Sequence, residues 1–139
     1  MGDGMDKFIG RWDVTGTENM EEMLKAFDME EKKRQMYAEM RFTMEYTRNG
    51  DNWSYTVEMP NGMKKTFNFS IGQEFDSTTL DGRPIVSKVE VQDGKFVEIH
   101  KDKADQTLDA KMVREVTGDE LTVTATVRNV TSITRHKKA

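Results

Sequence analysis

From Arg41 to the end of the chain, turn-forming clusters recur at roughly 8–12-residue intervals, the spacing of all-β sandwiches and barrels. They are Asn49-Gly50-Asp51, Pro60-Asn61-Gly62, Gly72, Leu80-Asp81-Gly82, Gln92-Asp93-Gly94, Thr117-Gly118-Asp119 and Arg128-Asn129. The segments between them alternate in polarity, as in RFTMEYTR, NWSYTVEM and RPIVSKVEV. Short turns favour antiparallel pairing of sequence neighbours, so the pattern predicts an up-and-down meander. With an N-terminal strand over Lys7–Thr15 around Phe8, Trp12 and Val14, the strands number about ten.

A closed meander of about ten strands has an interior wider than side chains alone can fill, and it tends to enclose a ligand cavity. The strands TVTAT and FTMEYT are polar on both alternations, and the chain is poor in Leu and Ile. That favours a partly polar interior over a dry one; the other reading is that the polar residues all face solvent. Two short helices interrupt the β pattern early. TENMEEMLKAF carries Asn19 and Glu22 at capping-box spacing, and Asp28 with Glu31 repeats the device before EKKRQMYAEM.

The 139 residues, 35% hydrophobic and 33% charged with two prolines, read as one folded domain spanning 1–139. With no cysteine, disulfides and thiolate metal sites are excluded, which fits a reducing compartment. No apolar run near the N-terminus suggests a secretory signal, and no stretch approaches a membrane span. The sequons at Asn52, Asn68 and Asn129 are therefore read as chance matches, and the start lacks the Ser or Thr that myristoylation prefers. The expected location is the cytoplasm. A net charge of −4 argues against nucleic acid as a partner. With two histidines, His100 and His136, and no Gly-rich phosphate loop or nucleophile elbow, neither an enzyme, a metal site nor a cofactor is expected.

Five motifs in order resemble the intracellular lipid-binding family, the fatty-acid-binding and retinoid-binding proteins. FIGRW (Phe8–Trp12) resembles the family's opening, ENMEEMLKAF its first helix and Arg34–Met36 part of its second. FSIGQEFDSTTLDGRPIVSKVEV (Phe69–Val91) is the most specific block, and VREVTGDEL (Val113–Leu121) matches a late hairpin. The resemblance covers roughly Asp6 to Lys137 and implies a ten-stranded antiparallel β-barrel, lipocalin-like, capped by a helix–turn–helix lid over about residues 18–40. The implied function is an intracellular carrier, expected to be a monomer, that holds a long-chain fatty acid or similar hydrophobic ligand inside. Two alternatives are a stress-protective barrel resembling the secretory heat-soluble proteins, and a carrier of the retinoid or bile-acid type. The chain departs from the family between the helices, where Phe27-Asp28-Met29 replaces a usual Gly, and in the last strand, which lacks a clean Arg-x-Tyr.

Arg114 sits between apolar residues in KMVREV; if Met112, Arg114 and Val116 share the inner face, its guanidinium lies inside. By resemblance it meets the head group, since guanidinium binds carboxylate bidentately; the alternative is an exposed strand arginine. In the closing strand a one-residue slip reverses every side chain. Without a gap, Thr134 and His136 take the Arg and Tyr positions; a one-residue bulge puts Arg135 there, followed by Lys137. Arg135 is preferred, with Thr134 and His136 as the rival pair and a solvated basic tail as the third reading. Phe69, Met44 and Tyr55 join the expected ligand-binding set, and Trp12, Phe75 and Phe96 are further cavity or core aromatics. By resemblance, Met29, Lys33, Met36, Met63 and Asp81 fall at the portal, where flexible Met suits varied acyl chains. Ordinary packing of the helices against the barrel rim explains those methionines equally well. Lys32, Lys33 and Arg34 could touch an anionic membrane surface transiently; a solvated helix face is the other reading.

Overall fold

The computed structural model describes residues 4–79, 82–105 and 108–139. A 3-10 turn at Asp6–Phe8 precedes β1 (Gly10–Glu18), which starts three residues later than the predicted first strand. Two helices follow, α1 (Met20–Ala26) and α2 (Glu31–Glu39). The hairpin strands are β2 (Thr43–Asn49), β3 (Asn52–Glu58), β4 (Lys64–Ser70), β5 (Phe75–Thr78) and β6 (Pro84–Gln92). The chain closes with β7 (Lys95–Asp102), β8 (Asp109–Thr117), β9 (Glu120–Val127) and β10 (Val130–Lys138).

The strands form one antiparallel sheet in the order β4-β3-β2-β1-β10-β9-β8-β7-β6-β5. Every adjacent pair is consecutive in sequence except β1 with β10, which joins the two ends of the meander. The sheet curls into a nearly closed barrel whose free edges are β4 and β5. Lys65 of β4 donates from Nζ to the Thr79 carbonyl just after β5 (2.9 Å), a side-chain bridge where backbone pairing is missing.

The core has two parts. One end is aromatic: Phe8, Trp12, Tyr46, Trp53, Phe69 and Phe96 pack together, with Phe96 fully enclosed. Its ring lies 4.5 Å from Phe8, 5.1 Å from Trp53 and 5.9 Å from Phe69 between centroids, in tilted and edge-on geometries that favour ring quadrupoles. Under the helices, Met23 and Phe27 pack on Ile85, Leu108, Ala110, Ala125 and Val127.

Neither predicted helix cap forms. Asn19 adopts a left-handed backbone (φ 59°) and donates its side-chain Nδ2 to the Thr131 carbonyl, so it fastens the start of α1 to β10 instead. Asp28 is not the start of α2 but the stop of α1. Its own N–H bonds the Lys25 carbonyl, and the Met29 N–H reaches back to Leu24, the paired bonds of a Schellman motif. The motif needs a left-handed residue, most often Gly, and here Asp28 supplies it at φ 60°. The predicted bulge in the last strand lies instead in β1, between Val14 and Gly16. The extra residue, Thr15, turns its hydroxyl onto the Arg135 carbonyl.

Candidate functional site

The cavity of about 250 Å³ lies between the aromatic end and the helices, lined by side chains from α1, α2 and most strands. Its walls are largely apolar: Met20, Leu24, Phe27, Val57, Phe67 and Ala125 are representative. The charged and imidazole side chains of the lining come from β7, β8 and β10, while Ser77, Thr78 and Thr79 add hydroxyls on and just after β5. Glu98 and His100 come from β7, Arg114 from β8, and Thr134 and His136 from β10, all inward by strand alternation.

Arg114 is buried at 7% exposure and faces Glu98, itself at 4%. Arg114 Nε lies 2.8 Å from Glu98 Oε2, an ion pair whose geometry leaves Nε without a well-directed hydrogen-bond acceptor. The guanidinium also sits 4.7 Å above the Tyr55 ring, a cation–π contact. Its two terminal nitrogens meet thioether sulfurs, Met44 at 3.8 Å and Met112 at 3.7 Å, beside the phenols of Tyr46 and Tyr55. Burial pushes the Glu98 carboxyl up, but Arg114 and then His100 outweigh it and hold its pKa below the ordinary value. Burial likewise disfavours the Arg114 charge, and Glu98 with the two phenols of Tyr46 and Tyr55 more than restores it. The pair is ionised at neutral pH. Enclosure raises the Tyr46 phenol well above its usual value, so it stays neutral.

Glu98 is held from a second side. His100 Nε2 is 2.8 Å from Glu98 Oε1, and His100 Nδ1 is 2.7 Å from Ser87 Oγ on β6. A neutral imidazole with its proton on Nε2 satisfies both contacts, donating to Glu98 and accepting from Ser87. Two strands from Arg114, on β10, His136 is 1% exposed and packs edge-on against Phe42, with ring centroids 5.7 Å apart. Burial, followed by the charge of Arg114, lowers its pKa from 6.5 to about 4, so His136 is neutral. Its Nδ1 is buried without a hydrogen-bond partner.

The closing strand resolves to one of its two registers. Ser132, Thr134 and His136 point inward, while Arg135 is exposed and pairs with Glu18 at 2.7 Å. The preference for Arg135 as the inward residue is thereby corrected: with the bulge in β1, β10 keeps an uninterrupted register against β9. Met44, Tyr55 and Phe69 line the cavity beside Arg114. Phe75 lines it as well, whereas Trp12 and Phe96 belong to the aromatic core.

Of the portal residues, Met29 is buried against the cavity and Lys33 is half-buried near Glu30 (4.0 Å). Met36 and Met63 stand exposed at 57% and 58%. Asp81 lies outside the described residues. Glu98 and Ser87 were not singled out from the sequence. The alternation of KFVEIHK does carry the signal, since Phe96, Glu98 and His100 share one face. Among the described residues no cluster of three or more potential ligands could hold a metal ion, and no helix is long and apolar enough to cross a membrane.

A family model described as lipocalin / cytosolic fatty-acid binding protein family matches residues 6–139. The chain is 35% identical over 126 residues to fatty acid-binding protein homolog 6 of Caenorhabditis elegans, covering 91% of this chain and 93% of that protein. Its fold superposes on a Schistosoma mansoni fatty acid binding protein in complex with arachidonic acid at a TM-score of 0.90, with 28% identity and 98% of each chain covered. Echinococcus granulosus fatty-acid-binding protein 1 has the same fold at a TM-score of 0.90, with 23% identity and 97% of this chain and 99% of that chain covered.

Proposed function

The chain belongs to the lipocalin / cytosolic fatty-acid binding protein family, and from that premise we propose that it is a carrier of a long-chain fatty acid or similar hydrophobic ligand. The observation that carries this reading is the apolar cavity ending on the buried Arg114–Glu98 pair. An acyl chain fills the apolar part, at about 0.8 kcal/mol per methylene removed from water. Its polar end meets Arg114, whose terminal nitrogens touch weak sulfur acceptors, with Thr134 and His136 two strands away on β10. Met44, Tyr55 and Phe69 hold the adjoining stretch of chain.

The related proteins are named for fatty-acid binding, and one is solved with arachidonic acid, which supports a binding role rather than an enzymatic one. We place the carrier in the cytoplasm as a monomer. Residues 1–139 then form a single domain, and α1 and α2 serve as its lid. Ligand passes beside Met29, Lys33, Met36 and Met63, and the exposed side of α2 makes transient contact with anionic membranes.

Native mass spectrometry and displacement of a fluorescent fatty acid test the carrier. Co-purifying lipid, or displacement at micromolar ligand, is the expected result. A protein that is lipid-free and shows no displacement is not a carrier. An Arg114→Ala variant that binds as tightly as the parent removes Arg114 from the head-group site.

A further inference from the structure

The polar end of the cavity already contains an anion. Glu98 lies at Arg114 Nε, 2.8 Å away, where the carboxylate of a bound acid would gain most from the guanidinium. Nor is Glu98 free to swing aside, because His100 holds its other oxygen and Ser87 holds His100. Arg114 is the only Lys or Arg among the described residues lining the cavity. Arg135, which would have added a second cation, points outward to Glu18. An ionised ligand carboxylate here would place two anions beside one cation in a buried site, which is costly.

What remains unused is hydrogen-bonding capacity without net charge. The two terminal nitrogens of Arg114 touch the Met44 and Met112 sulfurs, which are weak acceptors, and the neutral phenols of Tyr46 and Tyr55 beside them add no charge. Buried His136 Nδ1 has no hydrogen-bond partner, and the ring lines the same cavity. A hydroxyl or an amide can accept from the guanidinium and also donate, so it can serve either tautomer of His136. A carboxylate can only accept.

We propose that this site selects an acyl lipid whose head is an uncharged hydrogen-bonding group, a hydroxyl or an amide, over the ionised carboxylate of the same chain. The proposal deepens the carrier reading and rests on it. Glu98 is the positioning residue: it neutralises Arg114 and leaves its outer donors for the head group.

The test is direct competition. The protein is incubated at neutral pH with phosphatidylcholine vesicles holding equal amounts of oleic acid, oleyl alcohol and oleamide, then separated by gel filtration. Bound lipid is quantified by mass spectrometry, with Glu98→Gln run in parallel. The parent should retain the alcohol and amide over oleate by at least about tenfold, as expected when like charges meet in a desolvated site. Glu98→Gln should move that ratio toward oleate by at least about tenfold, because it restores an unneutralised Arg114. Oleate retained equally or preferentially by the parent overturns this inference and leaves the carrier reading standing. Retention of none of the three lipids overturns both. A ratio unmoved in a Glu98→Gln protein that circular dichroism shows to be folded overturns the role of Glu98. If that variant does not fold, the parent's ratio decides.

Discussion

Enclosure strips His136 of water while Arg114 faces it, and both effects oppose a proton on the imidazole. Unfolded, the ring takes its proton near 6.5; folded, only near about 4. Between those values the unfolded chain binds more protons. The stability that His136 contributes is therefore complete above about pH 6.5 and is lost as pH falls toward about 4. At about 1.4 kcal/mol per pH unit, the loss approaches 3 kcal/mol. Glu98, held below its ordinary carboxyl value, weakens the fold only at lower pH, once it takes up a proton. Of these two groups, His136 alone acts between about pH 6.5 and 5. Urea titrations across that window should show the parent losing stability on acidification and His136→Gln losing clearly less. Equal slopes would show that the imidazole is not the group responsible.

At the level of elements, the connection between the helices shows how one backbone angle stands in for a residue preference. Asp28 terminates α1 in the left-handed region, and Met29 is then carried into the cavity wall. Its carboxylate also reaches Arg128, 3.4 Å away, but both side chains are more than half exposed and such pairs contribute little. The backbone angle thus matters more than the charge. Asp28→Gly should leave the thermal midpoint nearly unchanged, whereas Asp28→Val should cost about 1–2 kcal/mol, because a β-branched residue resists this region. A stable Asp28→Val protein would show that the Schellman stop is not required. The corner is also latched from outside. Arg83, from the most specific sequence motif, donates to the Phe27 carbonyl at 2.6 Å and pairs with Asp102 at 3.2 Å. That arginine joins the end of α1 to the end of β7, a structural task rather than a head-group one.

For the whole molecule, the consequence of the topology is a barrel with one seam. Among the described residues, strand β4 pairs only with β3, and β5 only with β6, so each presents one unpaired edge. Strands β8 and β9 are paired on both sides and carry buried residues on alternate positions. Hydrogen exchange should therefore be at least about tenfold faster for edge amides of β4 and β5 than for those of β8 and β9. Mass spectrometry of exchanged peptides checks this directly, and uniform protection around the barrel would contradict an open seam.

Turn residues and alternation were enough, by themselves, to mark about ten strands and the antiparallel pairing of sequence neighbours, because each turn acts on its own neighbours and local chemistry decides it. Parity within KMVREV groups Arg114 with Met112 and Val116 on one face, but that this face is the inner one was an expectation from the resemblance. The helix caps were misread because Asn19 and Asp28 have the right chemistry for caps, yet their backbones are recruited into left-handed turns by contacts with β10 and by the end of α1. The face of the last strand was not legible at all. RHKK reads equally well in either register, and the choice depends on a bulge about 120 residues away in sequence, at Thr15 of β1. Only the closure of the barrel brings those strands together. That closure turns Arg135 to solvent and leaves Arg114 inside as the cation of the described cavity lining, facing a carboxylate of its own chain.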